Sequence, residues 1–289
     1  GARILGVDPA RNVARRATKE GILTLPHFFN VEIARRIVKK YGKAKVIAAN
    51  NVFAHINDLD EIVNAVRILL DKEGVFVIEA PYNIDLLEKN LFDIVYHEHL
   101  SYLSIKPLDK FFKSFGMQIF DVVKREVHGG SVRIFVKKKE AKHKVKKSVK
   151  EFTKLEDSKG LSDINTYYEF AKQIKKNKNS LVKLLKKLKK EGKSIAGYGA
   201  PAKSTTLLHY FGIGKETIDF IADDSPFKHG LFTPGKHIPV VVTQNLYTNK
   251  PDYLLILAWN FAQSIMEMHK KYKDNGGKFI IPIPVPQIR

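Results

Sequence analysis

Cysteine is absent from the 289 residues, which excludes disulfides and thiolate metal sites within the chain. No uninterrupted apolar run approaches the roughly 20 residues that a membrane span needs, and there is no signal-peptide pattern. A soluble, cytoplasmic protein with no membrane partner is expected. Acidic side chains are in short supply. Against 50 Lys and Arg stand 30 Asp and Glu, a net charge of +20, so nucleic-acid binding has to be weighed. The excess lysine, however, is concentrated between Lys137 and Lys193. In Lys183-Leu-Leu-Lys-Lys-Leu-Lys-Lys190, Leu184, Leu185 and Leu188 mark one helical face. The aromatic residues that a base-stacking platform interleaves with its cations are missing there. The run reads as a solvated helix face, suited to a general attraction for anionic substrates, and no nucleic-acid partner is expected.

A hydrophobic content of 44% is ample for a buried core, and the length suits two domains. The first third alternates short apolar runs with amphipathic stretches. Strands are expected at Arg3–Asp8, Val46–Asn50 and Gly74–Glu79, with helices at Asn12–Lys19 and Leu59–Leu70. This alternation predicts a parallel sheet with helices on both faces. A helix over Leu108–Phe115 then precedes two strands, Met117–Val123 and Ser131–Val136, around a His128-Gly129-Gly130 turn. After a mostly helical stretch broken at Gly160, a second α/β unit follows. Its strands are expected at Ser194–Tyr198, Thr217–Ala222, Tyr253–Leu257 and Lys278–Ile283, with a helix from Ser204 to Tyr210 after the Gly199 turn. The expected organisation is an α/β domain over 1–137, a helical linker over 138–192 and a Rossmann-like domain over 193–289.

The chemistry-bearing residues gather at strand ends. Asp8 follows the first strand, where an acid accepts hydrogen bonds from ribose hydroxyls or caps a helix. Phe28-Phe29 suits an adenine face or the core. Asn50-Asn51 ends the next strand on the carboxyl edge, and His55 follows in the same turn. The densest constellation is Tyr96-His-Glu-His-Leu-Ser-Tyr102, with two histidines, a glutamate and two tyrosines in seven residues. Histidine serves as a general base near neutral pH, and a tyrosine hydroxyl donates to a developing enolate oxygen. The spacing does not match the zinc signature His-Glu-x-x-His, and no metal is expected. Gly197-Tyr-Gly-Ala-Pro-Ala-Lys203-Ser204 sits between a strand and a helix start, where free N–H groups and the Lys203 charge attract phosphate. Ala202 occupies the third glycine position of the dinucleotide fingerprint, so an NAD-dependent oxidoreductase stays open on this motif alone. Asp223-Asp224-Ser-Pro226 suits ribose or sugar hydroxyls, a metal, or plain turn chemistry.

Asn50-Asn-Val-Phe-Ala-His55, Tyr96-His-Glu-His-Leu-Ser-Tyr102, His128-Gly-Gly-Ser131, Gly197-Tyr-Gly-Ala-Pro-Ala-Lys203 and Trp259-Asn260 occur in this order. Together they resemble the SAM-dependent C-methyltransferases that act on carbon 3 of nucleotide-linked ketodeoxysugars. The resemblance implies a class I methyltransferase domain followed by a Rossmann-like C-terminal domain, with S-adenosylmethionine as cofactor. It implies His99 as the base with Glu98 supporting it, and Tyr96 and His55 lining the same pocket. Asp8, Phe28, Asn50 and Asn51 would hold the cofactor. Ser131, Arg133, Tyr198, Lys203, Ser204 and Asp224 would contact the nucleotide-sugar. Apart from the resemblance, a monomer is favoured over an oligomer. The family's cysteine-held zinc domain and the first strand of its SAM domain, with its Gly-containing turn, have no counterpart here. The chain therefore reads as N-terminally truncated, and on its own it is expected to bind the donor poorly and be inactive. His27 stands where the family usually has an acid before Phe-Phe. From motifs and charge alone, the other readings are an NAD-dependent oxidoreductase and a basic nucleic-acid-binding protein.

Overall fold

The computed structural model describes residues 1–289, the side chain of His128 excepted. Two compact units alternate along the sequence. Gly1–Tyr82 joins Leu100–Lys159 in the first, and Asn83–His99 joins Gly160–Arg289 in the second. Both are α/β, and among the described residues no helix is long and apolar enough to cross a membrane.

The first unit opens with β1 (Gly6–Val7), α1 (Arg11–Lys19), β2 (Thr24–Leu25), α2 (Val31–Tyr41), β3 (Ala44–Asn50), α3 (Leu59–Leu69) and β4 (Leu70–Pro81). The short helix α4 (Asn83–Glu88) belongs to the second unit. The first unit then resumes with α5 (Ile105–Ser114), β5 (Met117–Arg125), β6 (Ser131–Lys138) and α6 (Lys147–Ser158). β1 and β2 form a parallel pair. A second sheet has the order β3-β4-β6-β5, with β3 and β4 parallel and the closing hairpin antiparallel. Short polar side chains start two of the unit's helices, α2 and α3. The Asn30 carboxamide accepts the Ile33 N–H and the Asp58 carboxylate accepts the Glu61 N–H, each capping an orphan donor. Glu61 in turn accepts the Val31 N–H at 2.9 Å, tying the two helix starts together. Ile33, Ala34 and Ile37 of α2 then share a core with Ala65 and Leu69 of α3, where full burial of one such aliphatic side chain is worth about 1.5–3 kcal/mol.

The second unit continues with α7 (Ile164–Lys190), β7 (Ile195–Tyr198), α8 (Ala202–Phe211), β8 (Ile221–Asp223), β9 (Val240–Val242), α9 (Asn245–Thr248), β10 (Tyr253–Ile256), α10 (Ala262–Met268), α11 (Lys270–Asp274), β11 (Lys278–Ile281) and β12 (Gln287–Ile288). The sheet order is β12-β11-β10-β7-β8-β9, parallel except for β12. The chain winds outward from β7 through β8 and β9, then crosses to β10 on the other side. The carboxyl ends of β7 and β10 therefore flank a topological switch point, where open α/β sheets bind ligands. α7 buries Leu181, Leu185 and Leu188, spaced four and three residues apart, and exposes the lysine-rich face between them. Leu86, Phe92 and Ile94 lie in the same apolar cluster, which anchors the 83–99 segment in this unit. Several expected strands are shorter in the structure, two of them by half or more. Only Gly6–Val7 pairs within the first apolar run, and β8 starts at Ile221 because the N–H groups of Thr217 and Ile218 turn back to the Gly214 carbonyl.

Candidate active site

In the first unit the candidate cofactor residues stand at the carboxyl ends of parallel strands. Asp8 follows β1. Its N–H donates to the Leu25 carbonyl and its Oδ1 accepts the Ala10 N–H at 2.8 Å, so the acid shapes the turn into α1 while staying solvent-facing. Phe28 is 76% exposed, an aromatic face left outside the core, whereas Phe29 packs onto the α2–α3 cluster. Asn50 ends β3 opposite Glu79 of β4. Asn51 has φ 53°, a left-handed conformation that asparagine tolerates better than most residues, and its N–H donates to the Glu79 carbonyl. The buried Glu79 carboxylate binds Arg133 at 2.7 Å, so this arginine is engaged within its own sheet. Ser131 is fully buried, and its hydroxyl donates to the Val127 carbonyl. His55 closes a single 3₁₀ turn, Phe53–His55, with its side chain exposed above the buried Phe53.

In the second unit the apolar side chains Phe92 and Ile94 pin a 3₁₀ turn, Phe92–Ile94, into the core, and the Tyr96–His99 segment leaves from it. His99 Nδ1 lies 2.6 Å from the Ile94 carbonyl oxygen. A carbonyl only accepts, so Nδ1 carries the proton and Nε2 the basic lone pair. The Tyr96 ring packs at 4.4 Å from the imidazole. Burial, the charge of Glu98 and that of Asp93 together push the Tyr96 phenol above its ordinary range, so it stays protonated at neutral pH. Glu98 is exposed and acts here through its charge on Tyr96.

The switch point holds a second cluster. Gly199 has φ 83°, and a Cβ there would come within 2.7 Å of the Ala258 Cβ, so only glycine lets the turn after β7 approach the end of β10. The Lys203 Nζ lies 4.0 Å from the centroid of the Trp259 ring and donates to Asn260 Oδ1 at 2.5 Å. Trp259 Nε1 donates to Asp93 Oδ2 at 2.5 Å. Burial lowers the Lys203 ammonium to about 8 and raises the Asp93 carboxyl to about 6, with each charge partly restoring the other. Beside this, the Tyr198 hydroxyl and the Thr243 hydroxyl both donate to Asp224, and burial together with Asp224 pushes the Tyr198 phenol up. The Ser204 hydroxyl is buried and donates to the Pro201 carbonyl. Burial opposes ionisation of Asp223. The N–H groups of Ala200 and Ser225 and the Lys228 ammonium outweigh it and hold the carboxyl below its ordinary range.

Residues 126–284 match the family model described as the C-methyltransferase C-terminal domain, and residues 1–122 match a methyltransferase domain model. The C-methyltransferase NovU of Streptomyces niveus is 39% identical over 288 residues, a match spanning 100% of this chain and 69% of that protein. The chain belongs to the C-methyltransferase family. Among solved structures, a SAM-dependent methyltransferase from Anabaena variabilis is 18% identical over 47% of this chain and 68% of its own, with a TM-score of 0.37. A methyltransferase from Thermotoga maritima is 13% identical over 47% and 72%, with a TM-score of 0.35. Membership in the family replaces the oxidoreductase and nucleic-acid-binding readings.

Within this C-methyltransferase, Tyr96, Glu98 and His99 come together on one short segment, and Tyr198 meets Asp224. Arg133 and Asn51 are linked through Glu79. Asp93 and Asn260 join Lys203 at the switch point, and of these Asp93 escapes sequence reasoning altogether. The signal available is its place as a lone acid in Leu91-Phe-Asp-Ile-Val95, an apolar run in which a buried charge needs a partner.

Proposed function

We propose that this C-methyltransferase transfers the methyl group of S-adenosylmethionine to the carbon beside the keto group of a nucleotide-diphospho-ketodeoxysugar, through an enolate of the sugar. The observation that carries the reading is the His99 imidazole, whose tautomer is held by the Ile94 carbonyl with a protonated Tyr96 packed against it. A ketone makes the neighbouring C–H acidic enough for a neutral imidazole to remove. His99 Nε2 takes that proton, and the Tyr96 hydroxyl donates to the oxygen on which the enolate charge develops. Lys203, near the start of α8, suits the diphosphate.

The residues at the carboxyl edge of the first unit fit the adenosine half of the methyl donor. Asp8 offers a carboxylate for ribose hydroxyls, Phe28 an exposed ring for the adenine face, and Asn50 and Asn51 carboxamides for its polar edge. When bound, S-adenosylmethionine supplies an electrophilic methyl group for the enolate carbon.

The test is proton exchange without the methyl donor. The enzyme should exchange the proton beside the keto group of the ketosugar nucleotide for deuterium, read by NMR. His99→Gln should slow that exchange by about two to four orders of magnitude, while calorimetry shows unchanged affinity for S-adenosylmethionine. Exchange in the variant at the unsubstituted rate would remove His99 from the role of base.

A further inference from the structure

Asp93 is fully buried, and its two oxygens are unlike. Oδ2 accepts the Trp259 indole N–H at 2.5 Å, whereas Oδ1 is buried with no hydrogen-bond partner. The indole it holds is the face on which Lys203 rests, at 4.0 Å, while Asn260 fixes the same ammonium at 2.5 Å. Phe92 and Ile94, on either side of Asp93, lie in one apolar cluster with Leu207, Phe211 and Trp259. Among the described residues, the titratable groups that face Asp93 are Lys203 from α8 and Tyr96 from its own segment, and Tyr96 is neutral. Lys203 is thus the one countercharge among these groups, and the Trp259 indole N–H and the N–H groups of Asp93 and Ile94 also favour the carboxylate.

We propose that Asp93 is a positioning residue for Lys203, and that it takes up a proton when the anionic end of the substrate engages that lysine. The proposal rests on the reading of Lys203 as the diphosphate contact. An anion drawn to Lys203 brings negative charge to a site where Asp93 already supplies it. The two anions compete for one cation in a low-dielectric setting, where their repulsion is poorly screened. The cheaper outcome is protonation of Asp93, whose carboxyl is already raised to about 6 by burial. The protonated acid keeps Oδ2 as acceptor for Trp259, so the indole platform stays in place. By linkage, a group that binds a proton more tightly in the complex makes ligand affinity rise as pH falls.

The probe is UDP-glucose, whose diphosphate diester stays fully ionised between about pH 5 and about pH 8. Trp259 is the chain's single tryptophan, so its fluorescence reports on the site directly. Three outcomes are expected. Affinity should weaken roughly three- to tenfold from about pH 5.5 to about pH 7.5. Calorimetry at about pH 6, where Lys203 already holds its proton, in buffers of different ionisation enthalpy, should show net proton uptake. Asp93→Asn, which keeps the acceptor and removes the charge, should bind more tightly than the unsubstituted protein at about pH 6.5, where Lys203 still holds its proton, and lose the pH dependence below that. Asp93→Leu, which also releases the indole, should raise KM with little change in kcat. Retained pH dependence or weakened binding in Asp93→Asn overturns the proposal, and so does the absence of proton uptake by the unsubstituted protein, which needs no variant to fold. Lys203→Met separates the two ideas. If it abolishes binding while Asp93→Asn behaves as the unsubstituted protein, Lys203 still meets phosphate and only the role of Asp93 fails. If Lys203→Met binds normally, the diphosphate reading itself is wrong.

Discussion

Asp93 and Lys203 leave opposite marks on stability. The carboxyl sits at about 6 in the folded protein against an ordinary 3.8, so between those values the native state holds a proton that the unfolded chain has released. This contribution is fully present below about pH 4 and is lost as pH rises through about 6. Lys203 sits at about 8 against 10.5, so the unfolded chain holds the extra proton there and the lysine's contribution to stability rises with pH across that window. Denaturant melts in steps of pH should show both slopes, and Asp93→Asn should erase the acidic one and extend the basic one to lower pH, because Lys203 loses its countercharge. At the level of catalysis, Lys203→Ala should raise KM for the proposed nucleotide-sugar substrate about 10- to 100-fold with kcat nearly unchanged, the scale of a lost charge-assisted contact. An unchanged KM would take Lys203 out of the substrate site. Tyr96 and His99 are legible in the sequence because their density on one short segment is unusual. Asp93 is not, since what distinguishes it is a burial and an indole partner 166 positions away.

At the scale of elements, long periodic segments are readable and short or remotely capped ones are not. α7 shows Leu185 and Leu188 of its buried stripe in sequence because charged residues flank them, whereas Leu184, read onto the same face, is only half-buried and Leu181 takes its place. β2 has two residues and no pattern to read, and α2 goes unassigned although Asn30 caps it and Ile33, Ala34 and Ile37 fix its inner face. The start of α5 is a case that sequence cannot reach. Its Ser104 makes no side-chain cap. The buried Glu156 of α6 takes that place, accepting the N–H groups of Ile105 and Lys106 and the Tyr82 hydroxyl. Glu156→Ala should cost about 2–4 kcal/mol by leaving buried donors unpaired. Glu156→Gln should cost less, since its carbonyl oxygen still accepts. Urea melts with equal m-values would measure both, and equal losses in the two variants would show that packing, not capping, is what Glu156 supplies.

For the whole molecule, charge is the property that composition states most plainly and the fold then distributes. The chain carries +20, and α7 presents Lys175, Lys176, Lys183 and Lys186 to solvent. Exposed lysines of this kind add little to stability. They do set up a long-range field, and a nucleotide-sugar carries two negative charges on its diphosphate. Such a field acts on encounter and not on the chemical step. The expected outcome is that kcat/KM for the proposed nucleotide-sugar substrate falls steeply as ionic strength rises toward about 0.1 M, where screening acts over about 10 Å, while kcat stays level. Replacing the four lysines with glutamine should lower kcat/KM at low salt and flatten its salt dependence, again with kcat unchanged. None of the four touches Lys203, His99 or Tyr96 in any contact described above, so a fall in kcat would mean that α7 supports the site through packing. A kcat/KM indifferent to salt would show that the basic surface serves solvation alone.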